Sequence, residues 1–249
     1  MIRHQSTNCI NRSGRRSSRV RIFFPLLFLL FLLPVGLRGA TDFQEYFSLG
    51  LNKSGLPVGW SLRQWFGNRH LIELVEEGEN RLLRMFSDKN SFGVYREFKL
   101  DPKITPILHW KWKVTRLPEG GDVRSKNKDD QAAQIYVMFP RFPKMINTRL
   151  VGYLWETSAP KLAQVVSQKS SNTRYIVLQS GKERLGEWVP ETRNVYEDYK
   201  ALFGEEPPQI GGITLMIDSD DTGSSAESYF SDIRIDHQCP TLPSSPVSC

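Results

Sequence analysis

The 249-residue chain is long enough for one sizeable domain or two small ones, and its formal net charge of +6 would suit nucleic acid if spread over a folded surface. It is not spread: residues 1–40 hold seven Arg and neither Lys nor acid, so 26 of the 33 bases face all 27 acids and residues 41–249 carry about −1. Without a basic stripe on the body, no phosphate-backbone footprint is expected and nucleic acid is excluded as a partner.

The first element in chain order is a leader. Six Arg precede an apolar run over residues 22–33, which includes eight unbroken Leu and Phe. Positive charge held on the cytoplasmic side of a short apolar core is the pattern of an export signal, and the core is shorter than the roughly 20 residues of a membrane-spanning helix. Pro34, Gly36 and Gly39-Ala40 suggest a processing region, although Arg38 stands where a small residue is usual. Residues 1–40 therefore read as a cleaved signal peptide or an N-terminal anchor, the only membrane-associated segment. The body is expected in the periplasm or outside the cell. Arg15-Arg16 lacks the apolar residues that follow a twin-arginine signal, and no Cys follows the apolar core as in a lipoprotein.

Nine short runs follow, rich in β-branched and aromatic residues and separated by Gly, Pro, Asp and Asn. They cover residues 70–76, 81–87, 92–100, 107–115, 131–139, 149–156, 173–180, 212–218 and 227–235. Over 107–115 the alternation sets Leu108, Trp110, Trp112 and Val114 against His109, Lys111 and Lys113. Ala133, Ile135, Val137 and Phe139 likewise oppose Gln134, Tyr136 and Met138. Nine strands with so little helix predict a mainly β fold over residues 41–236: a two-sheet antiparallel, jelly-roll-like β-sandwich. One helix is expected at 193–203, with Asn194 as N-cap, Val195, Tyr199, Leu202 and Phe203 on one face, and Gly204 at its end. Residues 237–249 form a flexible Pro/Ser-rich tail in which Cys239 and Cys249 either pair or remain two thiols.

Several chemistries are absent. The four His form no zinc spacing with Cys, and there is no nucleophile elbow, phosphate loop or dinucleotide fingerprint. Two acidic clusters remain, Lys126-Asn-Lys128-Asp129-Asp130 before one strand and Asp218-Ser-Asp220-Asp221-Thr222-Gly223 after another. Asp218, Asp220 and Thr222 have the alternate spacing that opens a calcium loop, so calcium is the one candidate cofactor, although Tyr229 stands where such a loop ends in Glu. The other reading is an Asp/Ser/Gly turn that caps its own backbone.

All six Trp lie in the body. Trp110 and Trp112 share an apolar strand face and read as core, whereas Trp155 and Trp188, each beside an acid near a strand end, read together with Tyr153 as surface rings on which sugar could stack.

Leu56-Pro-Val-Gly-Trp60, His109-Trp-Lys-Trp-Lys-Val114, Lys128-Asp-Asp130, Tyr153-Leu-Trp155, the stretch from Asp198 to Gly204, and Asp218-Ser-Asp-Asp-Thr-Gly223 together resemble a bacterial family of exported proteins known as domain of unknown function 3047. The likeness runs from about residue 43 to residue 235. It implies export and a β-rich sandwich, and it carries no activity.

Three functions remain open. The first is a binding module for envelope polysaccharide, with Tyr153, Trp155 and Trp188 as stacking rings and Lys111, Lys113, Lys128, Asp130 and Asp218 as polar contacts. The second is a glycan-cleaving enzyme with Asp130 and Asp218 as paired carboxyls, about 5–5.5 Å apart for retention or about 6.5–9.5 Å for inversion. The third is a structural or assembly factor of the envelope without a small-molecule site.

Overall fold

The alternation over residues 107–115 is realised in full: Leu108, Trp110, Trp112 and Val114 are each at most 1% exposed, while Lys111 and Thr115 face solvent. In this computed structural model, which describes residues 41–237, that strand is one of thirteen. The described residues begin with β1 (Thr41–Glu45), β2 (Ser61–Phe66), β3 (Leu71–Glu77), β4 (Asn80–Asp88), β5 (Ser91–Leu100) and β6 (Ile107–Arg116). It continues through β7 (Ala133–Phe139), the one-turn helix α1 (Lys144–Asn147), β8 (Arg149–Glu156), β9 (Gln164–Val166), β10 (Thr173–Ser180) and β11 (Val189–Asn194). Helix α2 (Val195–Phe203), β12 (Ile210–Asp218) and β13 (Ser225–Asp236) complete it. The leader and residues 238–249, with Cys239 and Cys249, lie outside the described residues.

The strands form two sheets. The six-stranded sheet runs β11-β6-β13-β4-β3, with β1 also on β13; the seven-stranded sheet runs β2-β5-β12-β7-β8-β10-β9. Every pairing is antiparallel except that of β8 with β10. The expected two-sheet sandwich is therefore observed, with that one parallel pair. Each of the nine expected strands is present, and β1, β2, β9 and β11 are additional.

The inner faces meet through aromatic rings. Trp110 and Trp112 of β6 stand edge to face with centroids 5.3 Å apart; Trp110 lies 5.4 Å from Tyr153, and Trp112 lies 6.0 Å from Trp155, both of β8. These four side chains are at most 1% exposed, and rings of this size dominate the apolar surface a core removes from water.

The seven-stranded sheet departs from simple alternation. Gln134, Tyr136, Thr214 and Met216 point away from the inter-sheet core yet are at most 8% exposed, because Tyr136, Leu154, Tyr175 and Met216 build a second apolar cluster with Val123 and Ala159. Both faces of the sheet's centre are covered, which gives β7 and β8 their nearly continuous burial. Gly152 is required here: a Cβ at that position would stand 2.7 Å from the Tyr175 ring and 2.9 Å from the Tyr136 ring.

Helix α2 starts two residues inside the expected boundary and ends where expected. The Asn194 side chain accepts from the Glu197 N–H at 3.1 Å, and Gly204 closes the helix at φ 72°. Its buried face carries Val195, Tyr199 and Leu202, with the Tyr199 ring 4.6 Å from Phe139.

Candidate functional site

The two acidic sequence clusters meet at one end of the seven-stranded sheet. Asp218 ends β12, its N–H donates to the Gln131 carbonyl, and carboxylate oxygens of Asp130, Asp218 and Asp220 all lie within 4.8 Å of one another. Asp130 is fully buried and accepts from the N–H groups of Asp221 (3.1 Å) and Thr222 (2.6 Å), so it caps the turn that follows β12. Asp218 is 4% exposed, and one of its oxygens, like one of Asp220, has no hydrogen-bond donor. Burial, and then the facing Asp220 and Asp130 carboxylates, hold the Asp218 carboxyl well above the usual carboxylate range against the pull of Lys169. Burial also raises Asp129, which accepts from the Gln131 side chain at 3.0 Å. Lys169 pairs with Asp221.

This geometry revises the sequence-based assignments. Asp130 and Asp218 do come together, but both are buried, and Asp130 is engaged by backbone amides, so neither offers a glycosidic bond an accessible carboxyl. The Thr222 hydroxyl pairs with that of Ser224 at 2.7 Å, and the third carboxylate gathered with those of Asp218 and Asp220 is Asp130's. Lys128 is exposed on the loop ahead of β7. Tyr153 and Trp155 are core residues rather than sugar platforms, since positions 151, 153 and 155 all point between the sheets. Glu156, next to Trp155, is fully buried too; loss of water raises its carboxyl to about 7, against donation from the backbone of Thr157, Ser158 and Val123.

The other expected residues lie on the outer face of the six-stranded sheet, away from the aspartates. Trp188 is half-buried just before β11, and its indole N–H donates to Glu77 at 2.8 Å. The Lys113 ammonium stands 4.8 Å from the centres of both the Trp188 and Tyr229 rings and 3.3 Å from Glu77. The Trp188 N–H, and then Lys113, hold the Glu77 carboxyl below its ordinary range against a slight desolvation. Lys111 pairs with Asp232 at 2.7 Å.

The turn between β3 and β4 connects this cluster to a groove enclosing about 770 Å³. Glu76 of β3, Arg81 of β4, Asp232 and Arg234 of β13, and Tyr46 and Ser48 line it. Sequence reasoning missed Tyr46, Glu77, Arg81, Tyr229 and Asp232 because they are brought together from separate strands. The acid-plus-aromatic signal used for Trp155 would have served for Tyr229, which follows Glu227 by two residues on one strand face.

Comparison with known proteins adds a family. The family described as protein of unknown function (DUF3047) matches residues 60–234. No curated protein matches the chain in sequence. Among solved structures, it is similar to the family 11 carbohydrate-binding module of the cellulosomal cellulase Lic26A-Cel5E of Clostridium thermocellum, at 7% identity over 80% of this chain and 97% of that one, with a TM-score of 0.39. It is also similar to the xyloglucanase domain of NopAA, a type three effector from Sinorhizobium fredii (10% identity, 72% and 93% covered, TM-score 0.41). A third similarity is to the CBM22-1 xylan-binding domain from Paenibacillus barcinonensis Xyn10C (12% identity, 80% and 95% covered, TM-score 0.37). Likenesses this distant say nothing about what the present chain binds.

Proposed function

We propose that this chain, which belongs to the DUF3047 family, is an exported, non-catalytic glycan-binding β-sandwich of the cell envelope whose binding surface is the outer face of the six-stranded sheet. The observation that carries the reading is the half-buried Trp188 ring on that face, bound through its N–H to Glu77 at the end of β3. Lys113 stands against the ring, and the β3–β4 turn that follows Glu77 leads to the groove lined by Glu76 and Arg81. A flat apolar ring bordered by carboxylates and guanidinium groups matches a sugar, whose C–H face stacks while its hydroxyls take up hydrogen bonds. The seven-Arg leader supports export.

The test of binding is isothermal titration of the full chain against neutral and acidic polysaccharides. Binding to at least one, weakened tenfold or more by Trp188→Ala, is the expected result. A folded protein that releases no heat with any glycan, or a Trp188→Ala variant that binds as tightly as the parent, overturns the reading. Export is tested separately by fractionating producing cells: the body belongs in the envelope or outside the cell, and the intact chain in the cytosol defeats it.

A further inference from the structure

We propose that Asp130, Asp218 and Asp220 form a divalent-cation site, suited to calcium, which ties the start of β7 to the end of β12 and its following turn. The proposal is independent of glycan binding and lies on the other sheet. Two observations carry it. Carboxylate oxygens from all three residues converge within 4.8 Å. Asp218 is 4% exposed, yet one of its oxygens has no donor and belongs to a carboxylate aimed into that cluster; Asp220 also leaves an oxygen without a donor.

A buried carboxylate oxygen without a partner carries a desolvation cost, and gathering like charges adds repulsion. A turn that only capped its own backbone would leave neither. Asp130 does cap the backbone, through the N–H groups of Asp221 and Thr222, but each carboxylate oxygen has a second lone pair that remains free for a cation. Lys169 is bonded to Asp221 and acts on Asp218 only through space.

The donor set is made of hard oxygens, which excludes soft-metal chemistry and favours calcium or magnesium. Spacings of up to 4.8 Å between the oxygens suit the larger, more flexible coordination shell of calcium better than the tight octahedron of magnesium. A cation here would act as a staple. The turn after β12 also meets the β4–β5 turn: Ser219 N–H donates to the Asn90 carbonyl, and the Ser219 and Ser87 hydroxyls lie 2.7 Å apart. Fixing Asp220 would therefore fix a junction between the two sheets.

The experiment is calcium titration of the full chain by calorimetry, with thermal unfolding in CaCl2, in MgCl2 and in EDTA. One calcium per chain is expected, with a melting temperature several degrees higher in calcium than in EDTA and a smaller rise in magnesium. Asp218→Asn should weaken calcium binding at least tenfold, and it should melt above the parent in EDTA because a buried carboxyl crowded by two others has been removed. Asp221→Asn, outside the trio, should bind calcium within about twofold of the parent. If the folded parent shows neither calcium heat nor a melting shift, the aspartates share protons instead and the proposal falls. It falls equally if Asp218→Asn retains the parent's affinity.

Discussion

The Tyr153 hydroxyl donates to an Asp198 carboxylate oxygen at 2.7 Å, joining the middle of a core strand to the first turn of α2. Asp198 also accepts from Arg193 Nε at 2.9 Å, so one carboxylate satisfies a buried phenol and a half-buried guanidinium. Tyr153→Phe removes one bond and leaves Asp198 paired, whereas Asp198→Ala strands both donors. The expected losses are about 1 kcal/mol for the first and about 2–3 kcal/mol for the second, measured by urea unfolding. A larger loss for Tyr153→Phe would show that the phenol, not the carboxylate, is the centre of this network.

Glu156 predicts a stability that falls as pH rises. Its folded carboxyl titrates near 7 against an ordinary 4.5, so between those values the folded state holds a proton that the unfolded chain has released. The contribution is complete below pH 4.5 and is lost as pH rises through 7, a difference of about 3 kcal/mol. Glu156→Gln should flatten this part of the pH profile and melt above the parent at pH 8. Equal pH profiles for parent and variant would mean that the carboxyl is already ionised in the fold.

At Gly152 the crowding by Tyr136 and Tyr175 predicts a cost of about 1–3 kcal/mol for Gly152→Ala. Because the ring is the obstacle, Gly152→Ala combined with Tyr175→Leu should cost less than the two single losses together. Strict additivity in a double-mutant cycle would count against the clash.

The ends of α2 predict two smaller effects. Asn194→Ala loses the bond to the Glu197 N–H and should cost about 1 kcal/mol, and Gly204→Ala forces a side chain into the left-handed region at a similar cost. Thermal melts resolve both, and an unchanged melting temperature for Asn194→Ala would show that water replaces the cap.

The legible part of the fold was the long alternating strands, because one buried face imposes a period of two over enough residues to stand out. The strands that escaped had weak signals: β9 is three residues long, and β11 is interrupted by Pro190 and carries Glu191 and Arg193. Tyr153 and Trp155 were misplaced because a neighbouring acid outweighed the periodicity, although Val151, Tyr153 and Trp155 share a face by simple alternation. The gathering of Asp130 with Asp218 was anticipated only as a pair of candidate residues. It depends on β7 lying beside β12, and pairing between strands so distant in the chain leaves no local trace.

The order of strands within the sheets bears on how the chain matures. β12 lies between β5 and β7, and β13 lies between β4 and β6, so the last two strands to be synthesised are interior to both sheets. Until they arrive, five strands (β1, β4, β5, β6 and β7) present unpaired backbone edges, ready to join the wrong neighbour. A polypeptide emerging N-terminus first is thus expected to need sheltering until residue 236 is free, and a product cut short before Ile210 should aggregate rather than persist as half a sandwich.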